Sequence, residues 1–418
     1  MKLGDRRRRE ELSRPPEQAM SAKSSNLLLP LTSVLLLVIC SAAFVRPGGA
    51  QQPPAQKNEQ AMPGAAEIAA YEARLAEYNA AREPYEKEAA AYWRSVADKR
   101  KIRTEKRARN ETAAGGDYIF TQPPVYSGPP RPTPPPGFKP KEEIAPPKYV
   151  PVIADFLKNA QTEFQFRPER PASERQFKRA YAKAAAAAGL TRDQIVGIYA
   201  FETGGAGYDL QAGFESKKSD AHAISTALGY NQLLHANTIE LLADKGDKFV
   251  SALQTKARAA TSERRQRLKK KLEILQRMIA FARSVPDEWT EHVRIANMPQ
   301  GLGIHSLNLD IDVGPLLQVE NLATSVAFAR RHGLVRPLTA AELEMMNLAG
   351  DGNGFDIVTM PNALREKVPT SNFFERNGYE ANPIVIRNNT VAKLLAATNA
   401  VMDENSALPG AKELAAVY

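Results

Sequence analysis

The sequence predicts a mostly α-helical protein, with one helical domain preceded by an export segment, a long heptad helix and proline-rich linkers. Three observations carry this. From about residue 148 onward, apolar residues recur at helical spacing between Gly, Pro and Asn breaks. No run of alternating apolar residues is long enough for a convincing sheet. Tyr71, Tyr78, Tyr85 and Tyr92 recur every seven residues in a stretch rich in helix formers.

Residues 1–50 read as a signal peptide or a membrane anchor. Arg6 to Arg9 and Lys23 precede an apolar run from Leu27 to Val45, and Gly48-Gly49-Ala50 offers a small-residue cleavage site. Cleavage leaves a periplasmic or secreted protein, and retention anchors it to the inner membrane through residues 27–45. Either way the rest of the chain is exported. The single cysteine, Cys40, lies inside this run, so the exported part forms no internal disulfide.

Residues 51–65 are Gln/Pro/Ala-rich linker. Residues 66–109 predict one helix. Ile68, Leu75, Ala89 and Val96 keep the tyrosine period on an adjacent seam, which Arg82 interrupts, and Pro84 is expected to kink or split the helix. Self-association, packing on the folded domain and a solvated spacer all fit this stripe. Residues 110–147 hold Pro123-Pro124, Pro129-Pro130 and Pro134 to Pro136, a density that predicts an extended spacer.

The folded domain is expected over 148–418. Thr191 and Gln194 form a capping box for a helix through Ile195 and Ile198 to Glu202, which Gly204 and Gly205 end. A helix from Gln232 to Leu242 follows. Residues 254–283 predict one long basic helix, and 284–314 a looser stretch. Further helices are expected around 315–332, 339–349, 355–366 and 389–402.

The net charge of +9 suits an anionic partner, and export argues against nucleic acid. The basic helix at 254–283 is the candidate contact for an anionic envelope surface. His222, His235, His292, His305 and His332 show no metal-ligand spacing, no Gly-x-Ser-x-Gly elbow occurs, and Asp351-Gly352-Asn353-Gly354 reads as a helix-ending turn rather than a calcium loop. No cofactor or metal is expected.

One carboxyl stands out. Glu202 emerges from an apolar helix, so desolvation raises its pKa and lets it hold a proton near neutral pH, as an acid acting on a glycosidic oxygen must. Glu202-Thr203, then Gly229-Tyr230-Asn231-Gln232 with Thr238, then Asn321-Leu322 and Met345-Met346-Asn347-Leu348-Ala349-Gly350 together resemble the lysozyme-like lytic transglycosylases. The resemblance covers about 160 residues, interrupted by an insertion near 244–314. It implies a lysozyme-like fold and cleavage of the β-1,4 MurNAc–GlcNAc bond of peptidoglycan glycan strands. Glu202 is then the single acid/base, and Thr203, Gly229, Tyr230, Gln232 and Asn347 contact substrate. The chain departs from the pattern where the family has Ala-Tyr-Asn-Ala-Gly: Met346 or Asn347 stands in the place of the tyrosine that holds the catalytic carboxyl. Tyr199, Tyr208, Tyr230 and Tyr379 are the candidates to replace it. The alternative is a catalytically degenerate peptidoglycan-binding or envelope scaffold protein.

Overall fold

The computed structural model describes residues 63–140, 149–206 and 225–418, and these are mostly helical. Among them no strand occurs, only two isolated bridges, Leu228 to Leu233 and Pro369 to Thr390. The expected export segment, most of the first linker, Tyr208 and His222 lie outside the described residues. No described helix is long and apolar enough to cross a membrane.

Helix α1 (Ala65–Ala108) is followed by α2 (Ile153–Phe164), α3 (Glu174–Ala187) and α4 (Arg192–Thr203). Next come α5 (His235–Ala259), α6 (Ser262–Ala282), α7 (Trp289–Ala296), α8 (Pro299–His305) and α9 (Gly314–Arg331). The remainder is α10 (Ala340–Ala349), α11 (Asp351–Thr359), α12 (Asn362–Arg365), α13 (Arg376–Glu380), α14 (Pro383–Arg387), α15 (Val391–Ser406) and α16 (Pro409–Val417).

Two apolar cores organise these helices. The larger one wraps α4, whose residues Gln194 to Phe201 are all buried, with side chains from α3, α9, α10, α11, α15 and α16. A helix apolar on every side is a core helix rather than a surface one. The second core joins α2 to α5, α6, α7 and α8 through Phe164, Phe249, Leu253, Leu275, Met278, Ile295 and Ile304. Much of it comes from the expected insertion at 244–314. Helices α5 and α6 pack closely at Gly246, where a Cβ would come within 2.8 Å of Ile279.

The basic helix expected at 254–283 is two helices. Ala260 is extended, and Arg265 reaches back to the carbonyls of Ala257 at 3.1 Å and Ala260 at 3.0 Å, satisfying the end of α5. Several of its cations are occupied internally. Lys271 sits 2.8 Å from Asp310 and 2.6 Å from Asp312, and Arg264 pairs with Asp312 at 2.6 Å and with Glu169. The stretch 284–314, expected to be loose, contains α7 and α8.

Helix α1 remains one element through Pro84 and packs on the rest of the chain. Its tyrosine row is covered from within. Tyr71 meets Phe138, Tyr78 and Tyr85 both meet Tyr126, and Tyr92 lies 2.6 Å from the Ser371 hydroxyl. The proline-rich segment, as far as residue 140, is therefore a docked strap along α1, not a free spacer. Its backbone is tied at Ile119, which donates to Asn372 Oδ1 at 2.8 Å and accepts from Asn372 Nδ2 at 2.8 Å. Arg82 joins the row by stacking over Tyr85 and Tyr126. Arg103 is fully buried and donates to Asp356 at 2.9 Å, the Asp117 carbonyl at 3.0 Å and the Asn372 carbonyl at 2.7 Å.

Candidate active site

The end of α4 is where the carboxyl of Glu202 is set. The helix starts on the expected capping box: Gln194 N donates to Thr191 Oγ1 at 3.2 Å, and Thr191 N donates to Gln194 Oε1 at 2.8 Å. It stops at Gly204 and Gly205, with φ of 77° and 68°, a region that favours glycine. At Gly205 the need is double, because a Cβ would lie 2.5 Å from the carbonyl oxygen of Asn405. The C-terminal helices clamp this turn. Asn405 donates to the Ala200 carbonyl at 3.0 Å, and Ala411 N donates to the Gly205 carbonyl at 3.1 Å.

Held there, Glu202 is partly exposed and accepts a 2.7 Å hydrogen bond from Asn347 Nδ2. The same amide nitrogen lies 3.5 Å from Glu344 Oε2. Glu344 and Asn347 are three residues apart on α10 and so share a face. Asn321 on α9 donates to Asn347 Oδ1 at 2.9 Å, which turns the amide nitrogen toward the two carboxyls. Glu344 is fully buried and hydrogen-bonds Glu202.

The electrostatics follow. Burial, the neighbouring Glu344 charge and the hydrogen bond to it hold the Glu202 carboxyl well above the usual range, against the lowering effect of Asn347. Burial pushes Glu344 up to about 8, against its bonds with Glu202 and Asn347. The pair therefore keeps a proton at neutral pH. One turn along α9, Ser325 donates to Asp351 at 2.6 Å. Glu240 on α5 is pushed up to about 7 by desolvation and by the nearby charges of Asp351, Asp287 and Asp244.

Of the residues singled out in the sequence, the structure brings Glu202 and Asn347 into direct contact. Thr203 turns its hydroxyl back to the Tyr199 carbonyl at 2.5 Å. Gly229, Tyr230 and Gln232 form one tight turn, closed by reciprocal 3.0 Å bonds between Leu228 and Leu233. Gly229 has φ of 79° and abuts Gln318, where a Cβ would come within 2.4 Å of its amide nitrogen. Gln232 has φ of 47° and donates to the Gly229 carbonyl at 2.8 Å. Tyr230 is fully buried among Phe177, Tyr181 and Tyr199, and its hydroxyl donates to Glu174 at 2.5 Å. Tyr230 is thus a core residue of the turn.

A buried amide network holds this turn. Asn231 N donates to Gln318 Oε1 at 2.8 Å, Gln318 Nε2 to Asn308 Oδ1 at 2.7 Å, and Asn308 Nδ2 to Thr238 Oγ1 at 2.9 Å. His305 lies 2.9 Å from Thr238 Oγ1 and 2.7 Å from the Thr226 carbonyl, and burial drops its pKa to about 3, so it is neutral. The polar residue at Asn231, where the resembled motif has an apolar one, belongs to this network.

The tyrosine candidates fare differently. Tyr199 is buried against Tyr230, with ring centroids 4.8 Å apart, and Tyr379 packs against Trp93. Met346 is buried in the core. The amide of Asn347 does what the motif tyrosine was expected to do: it hydrogen-bonds the carboxyl of Glu202. Sequence reasoning missed Glu344. Its signal was a lone acid inside the apolar run Leu343 to Leu348, three residues before Asn347. Among the described residues no group of His, Cys, Asp and Glu side chains could hold a metal ion. No family model, curated protein or solved structure matches this chain.

Proposed function

We propose that this chain is an exported peptidoglycan lytic transglycosylase with a lysozyme-like domain and Glu202 as its acid/base. One observation carries the reading: the Glu202 carboxyl, at a partly exposed helix end, is held well above its usual range by burial and by Glu344, beside an amide that fixes it. Glu202 protonates the leaving glycosidic oxygen. It then takes up a proton as the 1,6-anhydro ring closes, with assistance from the N-acetyl group of the substrate. Glu344 touches Glu202 directly, so the two carboxyls are too close to flank a sugar ring, and a single-carboxylate mechanism suits the site better than a paired one. Exposed cations on α6 hold the domain to the anionic envelope.

Glu202→Gln keeps the size and the contact with Asn347 but removes the proton. Incubated with purified peptidoglycan, the variant is expected to release anhydro-muropeptides about 10²–10⁴-fold more slowly than wild type, with an unchanged circular dichroism spectrum. Release at the wild-type rate sinks the assignment. Met346 in the place of the motif tyrosine favours a second reading, a glycan-binding scaffold without activity. Retention on sacculi with no anhydro product from wild type selects that one.

A further inference from the structure

The second carboxyl of the site has no part in the chemistry above. We propose that Glu344 is a positioning residue that shares one proton with Glu202 beside the Asn347 amide that spans both groups. Its catalytic meaning rests on the glycan-cleavage reading; the sharing itself does not.

Three features of the geometry carry it. Glu344 is fully buried, so it cannot reach a substrate and acts only through its neighbours. Among the described residues its Oε1 has no hydrogen-bond partner, and apart from Glu202 itself its Oε2 has only the long 3.5 Å contact to Asn347. A buried carboxylate served so poorly is costly, and a proton held between it and Glu202 removes that cost. Finally, Asn321 donates to the Asn347 oxygen, which turns the amide nitrogen toward both carboxyls. The groups acting on the two carboxyls are each other and Asn347. From α3, the phenol of Tyr181 faces Glu344. Asp351, at the start of α11, is held by Ser325.

A charge developing on Glu344 strengthens the hold of Glu202 on the proton, and the partly exposed Glu202 is the member that can deliver it. The arrangement also limits where the proton can go, because the buried partner has no solvent path of its own.

The test is a carboxyl titration of the whole protein carrying ¹³C-labelled glutamate, followed by NMR. In wild type, two glutamate carboxyls are expected to titrate as a coupled pair, with at least one step well above the ordinary value of about 4.3. In Glu344→Gln, Glu202 is expected to titrate alone, with its midpoint lowered by about one pH unit or more. Two independent carboxyls at ordinary values in wild type overturn the proposal, and that result does not depend on the variant folding. An unmoved Glu202 midpoint in a folded Glu344→Gln overturns it too. On peptidoglycan, the basic limb of the rate profile should move down with the midpoint. Coupled titration with no anhydro product at any pH supports the shared proton and overturns the cleavage reading instead.

Discussion

A carboxyl pair with no cation beside it among the described residues makes stability depend on pH in a particular direction. Burial pushes Glu344 up to about 8 in the fold, above its ordinary 4.5. Between those values the folded chain binds more protons than the unfolded one, so its stability falls as pH rises. The contribution is complete below about 4.5 and is lost toward 8. Melting curves from pH 5 to 8 should show wild type losing stability faster than Glu344→Gln. Equal slopes would remove this account. Glu202 and Asn347 were legible as single residues because each lies in a recognisable run. The pairing with Glu344 was not, because the resembled motif directs attention to a tyrosine, and only the fold shows that α10 turns an acid and an amide toward the end of α4.

At the scale of elements, the helix at 66–109 was legible, but what covers it was not. A heptad row states that a face is apolar, not which surface buries it. Here the cover is the chain's own proline-rich strap and the 370–374 turn, so self-association through the same row requires the strap to leave. Arg103 is the strongest single fastening, since removing it leaves Asp356 buried with Arg107 as its remaining cation partner at 2.6 Å. Arg103→Ala is expected to cost about 3–5 kcal/mol in urea unfolding. A loss under about 1 kcal/mol would show that α1 docks without it. The sequence joined α5 and α6 because helical periodicity crosses Ala260 unbroken. The stop is made instead by Arg265 folding back on the carbonyls, which no local pattern displays.

For the whole molecule, the mostly helical class was legible from periodicity and the absence of alternation. The partition into two cores was not, because α2 lies about 70 residues before α5, with which it shares the second core. That core changes the expectation for the basic region. Lys271 and Arg264 are bound to Asp310, Asp312 and Glu169, whereas Arg267, Lys269 and Lys270 are exposed. Replacing Arg267, Lys269 and Lys270 with Gln should weaken binding to sacculi or anionic vesicles at low salt and leave stability unchanged. Wild-type binding should fall steeply from about 0.05 to 0.3 M salt, as the Debye length shrinks from roughly 14 to 6 Å. Binding unchanged in the triple variant at low salt would leave α6 as a structural strut.

The clamp on the end of α4 has a consequence for how the molecule comes into being. The turn after Glu202 is bonded by Asn405 and Ala411, and Tyr418 donates to the Leu190 carbonyl at 2.5 Å. Asn405 and Ala411 leave the ribosome more than two hundred positions after the carboxyl they steady. A chain still being made can therefore carry Glu202 and Asn347 before the turn behind the acid is clamped. Whatever Glu202 does, the turn that carries it is steadied only after residues 405–411 have been made.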